Sequence, residues 1–69
     1  MSNIVIKFGK KVKSFREEKG ISQEELAFET GLHRTYISDV ERGKRSISLK
    51  NIEKLANSLG VEIYELFKE

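Results

Sequence analysis

Apolar positions recur along this chain at helical spacing, and glycines punctuate them. Phe8, Val12 and Phe15 stand at i, i+4 and i+7, one stripe of a helix running from about Asn3 to Lys19. Lys10, Lys11 and Lys13 fall off that stripe. Lys19 and Gly20 then read as a helix end, because a cation suits the negative end of the helix dipole and glycine takes the left-handed turn. Ile4-Val5-Ile6 would also suit a short strand, although no partner strand is evident.

Ser22-Gln23-Glu24-Glu25 has the form of a capping box, with the Ser22 hydroxyl and the Glu25 carboxylate each taking the other's backbone amide. Leu26, Ala27 and Thr30 supply the inward face of that second helix, and Gly31 ends it after two turns. A third helix starts after His33 and runs to about Arg42, with Ile37 and Val40 buried and Gly43 as its C-cap. Arg34, Thr35, Ser38 and Asp39 point outward. Ser48 caps a fourth helix whose inward stripe is Leu49, Ile52, Leu55, Ala56 and Leu59, closed by Gly60. A last short turn covers Ile63 to Phe67. With no proline and little period-two alternation, the pattern predicts an all-α domain.

At 69 residues the chain is one domain, 1–69. A chain of this size buries only about 60% of its unfolded surface, so its stability is a few kcal/mol. No cysteine and one histidine exclude a disulfide framework, a thiolate zinc site and a histidine-rich metal site. Ile4-Val5-Ile6 is too short for a signal core or a membrane span, which points to a cytoplasmic protein with no membrane partner. Gly9-Lys10 lacks the rest of a phosphate-cradling loop, and His33 stands alone on a turn without a nucleophile, so an enzyme is not supported. No cofactor and no small-molecule ligand are expected.

The net charge is only +2, but its distribution is uneven. Residues 1–20 carry a net +4 and residues 34–50 a net +3, whereas residues 21–33 carry −3 and residues 51–69 carry −2. Both basic blocks can face one polyanion while the acidic blocks face elsewhere.

Residues 22–42 read as helix, glycine turn, helix. Gly20-Ile21-Ser22-Gln23-Glu24-Glu25-Leu26-Ala27, then Gly31-Leu32, Ile37-Ser38 and Glu41-Arg42-Gly43, resemble the helix-turn-helix of the Xre, Cro and phage-repressor superfamily. The run Leu49 to Gly60 is similar to the helix that follows it there. Leu32 to Ser38, followed by Glu41-Arg42-Gly43-Lys44-Arg45, resembles the controller proteins of restriction–modification operons.

That resemblance implies a compact five-helix, lambda-repressor-like DNA-binding domain. It places the second helix of the motif in the major groove, with Arg34, Thr35, Ser38 and Asp39 at its reading positions. Gln23 matches a residue that braces a phosphate, and Arg42, Lys44 and Arg45 match a loop on the backbone or groove edge. Arg16 and Glu41 occupy the places of a buried ion pair. Two positions depart from the pattern: His33 stands where Ser, Thr or Asp is common, and Phe28 where a polar residue is usual.

The chemistry of the side chains agrees. Arg34 can make two parallel hydrogen bonds to guanine O6 and N7, worth about 1–3 kcal/mol of discrimination. Thr35 can offer a methyl to thymine or a hydroxyl to phosphate, Tyr36 can lie along a sugar or base edge, and His33 is a cap or a phosphate neighbour. Phe28, Ile63, Tyr64, Leu66 and Phe67 exceed what so small a core can hide. The expected division turns Leu66 and Val61 inward and leaves Ile63, Tyr64 and Phe67 for a homodimer contact. A symmetric dimer would set two reading helices about 34 Å apart and call for a pseudo-palindromic operator. The expected function is therefore a homodimeric, sequence-specific transcriptional regulator on double-stranded DNA, of the controller kind. A prophage-type repressor and an antitoxin-like protein-interaction module are the alternatives.

Overall fold

The computed structural model describes residues 3–68, and the four helices that the periodicity predicts are present in it. Helices α1 (Asn3–Lys19), α2 (Gln23–Thr30), α3 (Arg34–Glu41) and α4 (Leu49–Leu59) are followed by a 3-10 turn, Ile63–Leu66. No strand occurs among the described residues, and Ile4-Val5-Ile6 is helical. The fifth helix expected from the family resemblance is only this 3-10 turn. Its hydrogen bonds run three residues back, from Glu65 N–H to Glu62 O and from Phe67 N–H to Tyr64 O, both 3.0 Å. Four residues offer too little length for an α-helical ladder.

Every element contributes to one core. Val12, Leu26, Ile37, Val40, Leu55 and Leu66 are almost completely withdrawn from solvent. Each such side chain is worth about 1.5–3 kcal/mol of burial. Gly9 lets α1 cross α3 at close range: a Cβ there would stand 2.1 Å from the Val40 carbonyl oxygen. The capping box of α2 is complete, with Glu25 N–H donating to Ser22 Oγ at 3.0 Å and Ser22 N–H to Glu25 Oε1 at 2.8 Å. Gly31, at φ 75°, turns the chain from α2 towards α3, and its N–H donates to Ala27 O at 2.9 Å.

Two local expectations are corrected. Leu49 was expected inward but is 85% exposed. It heads the stripe of α4 at the first helical position, one turn before Ile52, and nothing packs over it. The C-cap of α3 is Arg42, at φ −87°; Gly43, at φ 69°, is the left-handed residue one place later. Among the described residues no helix is long and apolar enough to cross a membrane.

Candidate nucleic-acid interface

α3 presents its outer face from a firm base. Ile37 and Val40 anchor it in the core, and Glu41 at its last turn is buried. Burying a carboxylate is tolerable only if it is paired and hydrogen-bonded. Arg16 of α1 supplies the pairing, donating from Nε to Glu41 Oε2 at 2.7 Å and from Nη2 to Glu41 Oε1 at 3.1 Å. Its Nη1 donates to Ile21 O at 2.9 Å. The hydrogen bonds to Glu41 hold the Arg16 guanidinium above its usual pKa, outweighing the opposing effect of desolvation.

Gln23 joins the same carboxylate, with Nε2 donating to Glu41 Oε1 at 3.0 Å. One buried group of α3 is thus shared by α1 and α2. This fixes Gln23 at the start of α2, where it is half-buried, and leaves its second amide hydrogen available to an outside acceptor. The family resemblance implies a phosphate brace at Gln23; its tie to Glu41 is a contact that the motif did not indicate.

The outer face of α3 begins with Arg34 and Thr35, both exposed, followed by half-buried Tyr36 and Ser38. His33 is the N-cap but makes no side-chain hydrogen bond to the helix. The first amides of α3 therefore lack a side-chain acceptor and, together with the dipole, favour an anion such as phosphate. After the helix, Lys44 and Arg45 are exposed, and the loop is held by the Lys44 N–H donating to Asp39 O at 2.9 Å. Arg42 is exposed but engaged, its Nη2 lying 2.9 Å from Asp39 Oδ1. That pairing also occupies Asp39, the one acidic side chain on this stretch of the face.

Tyr36 links three segments. Its ring packs against the core, and the Arg45 guanidinium lies over it at 4.6 Å from the centroid. Its hydroxyl oxygen accepts from Asn51 Nδ2 at 3.0 Å. Asn51 was not among the expected site residues. The one sequence signal was its place in the first turn of a helix capped by Ser48, whose Oγ accepts the Asn51 N–H at 3.2 Å.

The structure thus gathers Gln23, Tyr36, Arg45, Arg16 and Glu41 into two linked clusters around α3. Ile63, Tyr64 and Phe67 belong to a different surface on the 3-10 turn, where Phe67 packs on Phe8 with ring centroids 5.1 Å apart. All three remain exposed. No group of metal-ligating side chains occurs among the described residues.

The two-helix unit with its glycine turn is an architecture shared with known proteins. A family profile described as helix-turn-helix matches residues 12–66. The chain belongs to the helix-turn-helix family. Among its helix-turn-helix relatives is the control protein C.BamHI of Bacillus amyloliquefaciens, 56% identical over 66 residues that make up 94% of this chain and 82% of that one. The structure is similar to that of the restriction–modification controller protein C.AhdI from Aeromonas hydrophila, with a TM-score of 0.89 and 52% identity over 91% of this chain and 96% of that one. It is also similar to C.Esp1396I bound to a 25 base pair operator site, with a TM-score of 0.87 and 37% identity over 97% of this chain and 88% of that one.

Proposed function

We propose that this chain is a sequence-specific, DNA-binding transcriptional regulator of the restriction–modification controller kind. It forms one lambda-repressor-like domain over residues 1–69, works in the cytoplasm, and acts as a homodimer on a pseudo-palindromic operator. It catalyses no reaction. The observation that carries this reading is the outer face of α3. There Arg34, Thr35 and Ser38 stand outward from a helix that Ile37, Val40 and the Arg16–Glu41 pair lock to the rest of the domain. The likeness to a controller seated on operator DNA supports it.

In this reading Arg34, Thr35 and Ser38 meet base edges in the major groove. Gln23, His33, Arg42 and Lys44 meet phosphates, and Tyr36 with Arg45 lies at the groove edge. Ile63, Tyr64 and Phe67 meet their counterparts in a second copy of the chain, and so set the spacing of two half-sites.

The test is a gel-shift titration with the DNA upstream of the chain's own gene against random duplex of equal length. Salt-sensitive binding that prefers the upstream duplex is expected. No preference, together with tight capture of a neighbouring gene product, would replace this reading with a protein-interaction module.

A further inference from the structure

The contact between Asn51 and Tyr36 has a direction, and the direction has a consequence at the interface. A phenol carries one proton and accepts through its lone pairs. Here the Tyr36 oxygen accepts from Asn51 Nδ2, so the Tyr36 proton is not used in that bond. Among the described residues no group takes that proton. Asn51 itself is held by its backbone bond to Ser48 at the start of α4, and the Tyr36 ring is held by the core. The ring in turn carries the Arg45 guanidinium, on a loop without regular structure, at cation–π distance.

We propose that Asn51 is a positioning residue of the DNA interface: by donating to the Tyr36 oxygen it turns the Tyr36 proton outward, towards a phosphate oxygen, and fixes the ring on which Arg45 rests. The inference rests on the DNA-binding reading and adds to it a residue that touches no nucleotide. Asn51 sets the polarity of Tyr36, and α4 thereby contributes to a surface otherwise built from α2, α3 and the loop after them.

Two arms test it. In the free protein, Tyr36→Phe should shift the Asn51 side-chain amide resonances and speed their exchange with solvent; unmoved resonances would overturn the proposal. The second arm uses a duplex that the protein itself selects from a randomised library. Tyr36→Phe and Asn51→Ala should each weaken binding about three- to tenfold, the scale of one hydrogen bond, and together no more than the larger single loss.

Asn51→Asp keeps a hydrogen bond but reverses it, because the carboxylate accepts the Tyr36 proton and draws it inward. Its added negative charge weakens DNA binding in any background. Beyond that charge effect, measured in the Tyr36→Phe background, Asn51→Asp should cost about threefold more when Tyr36 is present. Equal costs in both backgrounds would overturn the role of Asn51 alone. A protein that selects no duplex at all would overturn the DNA reading and this role with it.

Discussion

Arg16 and Glu41 meet side by side through two hydrogen bonds, at 2.7 and 3.1 Å, with the Glu41 side chain only 2% exposed. The pair joins the last turn of α1 to the end of α3, and Gln23 completes the carboxylate's shell. Removing one partner strands the other in a poorly solvated place. Arg16→Ala should therefore cost about 3–5 kcal/mol of unfolding free energy, a large part of what so small a domain has. Urea denaturation measures it. Replacing both residues by apolar ones of similar size should cost much less than either single change, because no charge is then left unpaired.

Gly9 offers a test of how closely α1 and α3 must approach. A methyl group at this position would lie 2.1 Å from the Val40 carbonyl oxygen, which is backbone and cannot swing away. Gly9→Ala ordinarily favours a helix by about 1 kcal/mol. Here the overlap should reverse that sign and destabilise by roughly 1–3 kcal/mol, visible as a lower melting temperature. A rise in melting temperature would mean that the helices can separate at little cost.

Arg34 and Lys44 should separate sequence reading from phosphate binding. Arg34→Ala is expected to cost about 1–3 kcal/mol on the selected operator and to relax preference at one base pair. Lys44→Ala should weaken operator and random DNA alike and flatten the salt dependence by about one unit. Equal losses on both duplexes for Arg34→Ala would make it a phosphate contact. Fluorescence anisotropy titrations at several salt concentrations distinguish these outcomes.

The ends of α1, α2 and α4 are fastened where Glu29 accepts from the Ser58 hydroxyl at 2.6 Å and from Lys19 Nζ at 3.4 Å. Lys19 also donates to the Ser58 carbonyl. The Ser58 hydroxyl, more than Lys19, draws the Glu29 carboxyl below its ordinary pKa. A carboxyl with a lower pKa folded than unfolded adds stability that is complete above the unfolded value. That stability is lost as pH falls through the folded value. Ser58→Ala should accordingly lower stability at neutral pH, with the gap between the two proteins closing as the solution is acidified. Thermal melts across the acid limb check this.

Local features were legible in the sequence, and features that depend on distant residues were not. The Ser22–Glu25 box, the limits of α1 and the burial of Ile37 and Val40 follow from spacing within a turn or two of helix. Leu49 misled because periodicity reports which face a residue occupies, and not whether the core extends to that end of the helix. The bond between Tyr36 and Asn51 joins positions 15 apart on different helices, and packing alone brings them together. The sharing of Glu41 between Arg16 and Gln23 has the same origin: the family pattern pointed to the ion pair, while the third member became visible only in three dimensions.

The proposed function requires the outer face of α3 and the loop after it to meet DNA. A titration of 15N-labelled protein with the duplex it selects, followed residue by residue in amide spectra, tests this most directly. The largest shifts are predicted at residues 33–38 and 44–45, with Gln23 responding and the outer face of α2 around Phe28 silent. Shifts concentrated elsewhere, with Arg34 to Ser38 unmoved at saturation, would contradict the account.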